Sequence, residues 1–225
     1  MKFPFFAKRK KPVWQVSYQE ETPARLSVEN EPEFIVIDIE TTGFDVLRDR
    51  ILSIAVAKVF EGICEPGSMQ EWIVFQENAE LNEAVEIHGI LPSESSQGQA
   101  EEEVLKELVP ILAGSIMVGH HVRFDAAMIH AALMRNFGMG FRNRLLDTAL
   151  LSMHELDAFK QSGYSRQKPP TLDEVCAQMG INTIDRHTAA GDVFTTVQLF
   201  MTLLAKTRHR MGEKFDWKDL PYVKL

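Results

Sequence analysis

The run Phe34-Ile35-Val36-Ile37-Asp38-Ile39 constrains the fold of this chain more than any other stretch. It is short, β-branched and apolar at successive positions, the pattern of a strand covered on both faces. Such a strand is buried only in a sheet with a layer on each side, so the run predicts a central strand of an α/β domain. Two carboxylates, Asp38 and Glu40, stand at its end. Side chains at i and i+2 leave a strand on the same face, so both point to one spot. An unpaired buried carboxylate is costly, and two repel each other. Hard cations such as Mg²⁺ or Mn²⁺ take oxygen ligands and remove that cost. Taken alone, an Asp-x-Glu reads first as two carboxylates that solvate a strand end and cap the turn.

The rest of the pattern builds the sheet outward. A second strand is expected over Ile51–Phe60 and a third over Glu71–Gln76, with Gly62, Pro66 and Gly67 between them. Short connections make these three an antiparallel meander. Ala100, Val104 and Leu108 mark an amphipathic helix that should end or bend at Pro110. Short strands follow at 115–119 and 144–147, with a helix over 124–137 that stops at Gly138. The segment after Asp147 reads as helical to about Phe159, and 161–170 as a loop. Thr171 with Glu174 forms a capping box for a helix ending at Gly180, and a long helix covers 189–207. The sum is an α/β domain with a mixed five-stranded sheet, an antiparallel meander plus parallel strands, flanked by helices. Residues 34–207 form this domain, between an irregular N-terminal arm (1–33) and a C-terminal tail (208–225). Trp14 and Tyr18 give the arm a means of packing on the domain. Phe215, Trp217 and Tyr222 let the tail cover the domain or dock a partner.

Composition excludes some functions. The 225 residues carry a formal net charge of −8, which argues against a broad electrostatic grip on nucleic acid. Binding of phosphate through a metal ion escapes that objection, because the cation supplies the local charge. The basic run at 8–11 reads as a solvated tail with weak phosphate affinity. It follows an apolar stretch, the reverse of a signal peptide, and no run approaches the ~20 apolar residues of a membrane span. A cytoplasmic protein is therefore expected. Cys64 and Cys176 lack metal-ligand spacing and fit core positions in a reducing compartment.

Two further pieces join the strand-end carboxylates. Asp125 lies just past a short strand at the start of a helix, where an Asp also suits the helix dipole. His187 and Asp192 bracket Thr-Ala-Ala-Gly at the mouth of the last long helix, and the small residues leave room for a close approach. A histidine there can take a proton from a metal-bound water. Each piece alone fits an ordinary cap. Four carboxylates and one imidazole at strand ends and helix starts are together what two-metal phosphodiester hydrolysis needs.

The segment 36–43 (Val-Ile-Asp-Ile-Glu-Thr-Thr-Gly) resembles the first motif of the DnaQ-like DEDDh 3′→5′ exonucleases, a family that includes the epsilon proofreading subunit of bacterial DNA polymerase III. Phe124-Asp125 resembles its second motif, and His187 with Asp192 its third. His88-Gly89-Ile90, Leu146-Asp147-Thr148 and Thr171-Leu172-Asp173-Glu174 extend the likeness, which spans about residues 34 to 205. The resemblance implies a ribonuclease H-like fold and release of nucleoside 5′-monophosphates from a single-stranded 3′ end. It implies Asp38, Glu40, Asp125 and Asp192 as ligands of two divalent cations, with His187 as general base. It further implies that Thr41, Thr42, Gly43 and Phe44 contact the terminal nucleotide, and that His88 and Gly89 line the same pocket. Asp147 would support the site from behind, or cap the next helix. His121 departs from the family's usual asparagine, which bears on substrate preference. Arg123 is placed either to meet a phosphate or to face solvent. Single-stranded DNA is the implied polymer with RNA 3′-end trimming as the alternative, a polymerase catalytic subunit is the implied partner, and a non-catalytic nucleic-acid-binding module is the alternative of another class. Gln198-Leu199-Phe200 lies in a helical apolar stripe and is expected to pack in the core.

Overall fold

The computed structural model describes residues 11–22, 31–65, 67–77, 90, 92–160 and 168–225. Strand β1 (Phe34–Thr41) is the centre of the sheet, as its sequence predicts. It pairs antiparallel with β2 (Ile51–Phe60) and parallel with β5 (Ile116–Gly119). Strand β6 (Arg144–Asp147) lies parallel beyond β5. On the other side β2 carries two short neighbours along one edge, β3 (Ile63–Cys64) and β4 (Gln70–Ile73). All five expected strands are present. β3 and a C-terminal strand β7 (Tyr222–Val223), which pairs antiparallel with β6, bring the total among the described residues to seven.

The alternation of β1 decides the two layers. Ile35, Ile37 and Ile39 enter one core with helix α3 (Glu101–Leu112) and helix α4 (Arg123–Phe137). Phe34 and Val36 enter the other, under helix α7 (Ala189–Met211), where Leu199 and Phe200 are fully buried as expected. Asp38 and Glu40 share the parity of Phe34 and Val36, so they leave β1 on the α7 side. Between β4 and α3 lies the four-residue helix α2 (Pro92–Ser95). Helix α5 (Thr148–Glu155) follows β6, and helix α6 (Leu172–Met179) precedes α7. The capping box at Thr171 and Glu174 forms, and Gly138 and Gly180 end their helices in left-handed conformation.

Several boundaries differ from expectation. Helix α3 runs through Pro110, which leaves the Lys106 carbonyl without the N–H it would receive from an ordinary residue, and ends two residues later. Helix α5 stops at Glu155, and Leu156 in extended conformation separates it from a single 3₁₀ turn at Asp157–Phe159.

The larger corrections are at the two ends. The expected irregular arm contains helix α1 (Val13–Glu21), packed on α3. Tyr18 is fully buried there; its hydroxyl donates to Asn143 Oδ1 at 2.7 Å and accepts from the Arg142 N–H at 2.8 Å. Trp14 meets Phe137 edge-on at 5.0 Å. The expected irregular tail is ordered as well. Trp217 packs against Phe34 and Phe215, the Arg208 guanidinium lies 4.6 Å over its ring, and β7 follows.

Candidate active site

The carboxyl ends of β1 and β5, the start of α4 and the mouth of α7 converge on one open cleft of about 660 Å³. Its lining includes Asp38, Glu40, Asp125, His187 and Asp192, together with Thr41, Thr42, Gly43, Phe44 and His121. Ligand sites gather where strand ends meet helix starts, since backbone groups and side chains there face open space. Oxygens of Asp38, Glu40 and Asp192 all lie within 4.8 Å of one another. Asp125 stands beside this trio, buried in the cleft wall, where its own N–H and that of Ile39 favour its ionised form. His187 is exposed at the lip, held at φ 64° in the turn before α7. His88 and Gly89 lie outside the described residues.

The loop after β1 is shaped by a residue that sequence reasoning did not single out. Asp49 accepts from Thr42 Oγ1 at 2.8 Å and from the Asp45 N–H at 2.7 Å. A Cβ on Gly43 would stand 2.6 Å from the Asp49 carboxylate, so glycine lets the loop close over it. A register shift between Glu40 and Thr41 turns the chain out of the sheet at this point. Phe44 emerges 85% exposed, with its ring 5.7 Å from Phe124 across the cleft mouth.

On the opposite wall, His121 sits at φ 61°, a left-handed conformation that Asn, Asp and His enter more readily than most residues. Asparagine and histidine are thus both suited to the position. Its N–H donates to Asp147 Oδ1 at 3.2 Å, and the same oxygen caps α5 through the Ala149 N–H. Asp147 therefore caps the helix and also holds the backbone of the cleft wall. The half-buried His120 bridges Thr148 Oγ1 and the Pro170 carbonyl, both at 2.9 Å, and its partial burial lowers its pKa to about 4. A neutral ring must then donate from Nε2 to the carbonyl, which ties the segment before Thr171 to the end of β5.

Arg186 is the second residue that sequence reasoning missed. Its guanidinium makes a two-pronged pair with Asp173, at 2.6 and 3.1 Å, and hydrogen-bonds Asp192 with a third nitrogen. Burial works against its charge, but the two carboxylates outweigh burial and hold its pKa above the ordinary value. The one available signal was a lone cation beside His187. Gly191 completes this corner: a Cβ there would lie 2.1 Å from the Asp185 carbonyl oxygen, so the 184–185 backbone rests directly on α7. Arg123 is exposed at the start of α4.

The sequence model of a family described as Exonuclease (RNase_T) matches residues 35–200. The chain belongs to this exonuclease family. Among its relatives, the DNA polymerase III subunit epsilon of Aquifex aeolicus is 28% identical over 83% of this chain and 89% of its own length. The PolC-type DNA polymerase III of Thermotoga petrophila is 29% identical over 75% of this chain, but the match spans only 12% of that protein. An epsilon-like protein of Rhodobacter capsulatus is 29% identical over 79% of this chain and 24% of its own length. Among solved structures, Escherichia coli exonuclease I in complex with a dT13 oligonucleotide superposes with a TM-score of 0.63 at 21% identity. That match covers 80% of this chain and 42% of exonuclease I. The fold is thereby the ribonuclease H-like one that the sequence implied.

The electrostatics of this exonuclease domain are dominated by its acids. Burial first, and then the charges of Asp125, Asp192 and Glu40, push the Asp38 pKa well above the carboxylate range. Glu40 is raised to about 8 by burial and the Asp192 charge, against the opposing pull of Arg186. Asp125 is raised to about 8, chiefly by burial. Oxygen donors crowded until they resist ionisation suit a divalent cation, whose charge removes the repulsion. The acid trio fits such an ion by this test. A consequence is measurable by thermal melting. With a chelator present, the folded form keeps protons that the unfolded chain has released between about pH 4 and about 8, so stability falls as pH rises through that window. Added Mg²⁺ or Mn²⁺ at about 100 times its Kd should return about 2.7 kcal/mol near pH 8, or roughly 5–11 °C in Tm. A melting temperature that neither pH nor metal moves would contradict this.

Proposed function

We propose that this chain is a metal-dependent 3′→5′ exonuclease that releases nucleoside 5′-monophosphates from the 3′ end of single-stranded DNA. The convergence of three carboxylates within 4.8 Å, beside an exposed aromatic and an exposed imidazole, carries the proposal. Family membership and the relatives named as polymerase III epsilon subunits support it, as do the exonuclease I complexes with oligonucleotides.

Asp38, Glu40, Asp125 and Asp192 would hold two divalent cations, Mg²⁺ or Mn²⁺. Bound ions of this kind lower the pKa of an attacking water and stabilise the leaving oxygen. His187, at the open lip, accepts the proton of the attacking water. Thr41, Thr42 and Gly43 present backbone and hydroxyl groups to the terminal nucleotide. Phe44 lies against its base, a contact indifferent to sequence. His121 closes the other wall, and Arg186 keeps Asp192 oriented. A polymerase catalytic subunit is the proposed partner and the cytoplasm the proposed place of action, in keeping with relatives named as polymerase III chains.

The test uses a 5′-labelled single strand with Mg²⁺ or Mn²⁺. A ladder shortening by single nucleotides from the 3′ end, abolished by chelator, is the expected result. Binding without shortening would reject it in favour of a non-catalytic module. A matched RNA strand run alongside decides between DNA and RNA trimming, since a 2′-hydroxyl is sensed by the shape of the cleft. His187→Ala should lower kcat by about 10²- to 10⁴-fold and flatten the pH–rate profile. An unchanged profile would assign the base elsewhere.

A further inference from the structure

A second groove of about 690 Å³ is walled by the same loop and helix as the cleft, and is lined by Leu47, Ala127, His130, Ala131, Met134 and Phe141 among others. We propose that it receives the nucleotides 5′ of the reacting end, so that cleft and groove form one track for a single strand. This rests on the exonuclease reading above.

Continuity is the first support. The same two elements wall both spaces: the loop after β1 gives Phe44 to the cleft and Leu47 to the groove, and α4 gives Phe124 to the cleft and Met134 to the groove. Along α4, positions 123, 127, 131 and 134 fall on one face, as i, i+4 spacing requires. The ten residues from Phe124 to Met134 span about 15 Å of helix axis, room for on the order of two to four nucleotides beyond the terminal one. Alanines at 127 and 131 keep the floor between them low.

Chemistry is the second support. Leu47 is 86% exposed and Met134 48% exposed, each an apolar platform open to the face of a base. No Asp or Glu side chain lines the groove; its lining includes Arg135, which pairs with Glu101 at 2.6 Å, and the C-terminal Leu225. Arg123 stands exposed at the start of α4, and Arg48, its side chain 88% exposed and 3.7 Å from the Asp45 carboxylate, follows Leu47. In a chain of net charge −8, an apolar trough with arginines at its edges, on the same loop and helix as a nuclease cleft, fits a polyanion with flat bases better than an acidic or apolar peptide.

The experiment measures KM and kcat for release of the 3′ nucleotide from a dinucleotide and from a single strand of about 12 nucleotides, within the span of known single-strand grooves. Leu47→Glu and Met134→Glu set a charge against the phosphates, and both positions are open enough to accept it. Each should raise KM for the long strand about tenfold and leave kcat and the dinucleotide unchanged; Leu47→Trp should lower KM for the long strand. If the parent protein cleaves both lengths with equal KM and the variants do nothing, the groove proposal fails while the exonuclease stands. If the parent cleaves neither length, the exonuclease reading fails and takes the groove with it. Should the glutamates change the oligomeric state by light scattering and leave KM alone, the groove joins copies of this chain and the proposal is overturned.

Discussion

Asp38→Asn is expected to slow nucleotide release by about 10⁴-fold, close to 5.5 kcal/mol of transition-state stabilisation. Asp38 faces Asp125, Asp192 and Glu40 at once, so no other carboxylate of the cluster can assume its place. Asparagine keeps the shape and removes the charge, which separates chemistry from folding. In chelator near pH 8 the variant should melt above the parent, because one of four mutually repelling acids is gone. The activity assay and the melting curve therefore move in opposite directions. Isothermal titration with Mn²⁺ should show weaker binding. A rate within tenfold of the parent would remove Asp38 from the metal-holding set.

Gly191→Ala tests a different part of the site. In the first turn of an exposed helix this exchange ordinarily stabilises by roughly 0.5–1 kcal/mol. Here the new methyl would meet the carbonyl oxygens of Asp185 and Ile184, at 2.1 and 2.6 Å. Both are backbone atoms and cannot swing aside. The 184–187 turn must lift from α7, taking Arg186 and His187 with it. A loss of about 3 kcal/mol is expected, seen as a fall of roughly 6–12 °C in Tm. A displacement of about 1 Å at His187 should also lower kcat by about 10²-fold. A melting temperature at or above the parent's would show that the turn has room to spare.

The centre of the fold was legible because β1 carries its whole environment in its composition. A strand apolar on both faces has one place to go, and a pair of acids at its end then lies at the sheet's carboxyl edge. The helices with strong boundary residues, Gly138 and Gly180 at their ends and Thr171 at a start, were read nearly to the residue. Helix α1 escaped because its buried face is Gln15 and Tyr18, polar by composition and at home in the interior through partners over 90 residues away. The same holds for β7, whose pairing with Leu145 and Leu146 is set by the sheet and not by its own two residues. In the site, the acids and His187 were visible as motif positions. Arg186 and Asp49 were not, since their meaning lies in whom they meet: Asp173 and Asp192 for one, Thr42 and the Asp45 N–H for the other.

The way the sheet ends also bears on how the protein behaves in a crowd. The rim of β2 is divided between β3, two residues long, and β4, four residues long, and the far side of β6 is covered by the two residues of β7. Each outermost strand is thus too short to offer a long row of free N–H and C=O groups to a neighbouring molecule. The aliphatic strands β1 and β2, which would otherwise be strong templates for cross-β stacking, are kept inside a border of fragments.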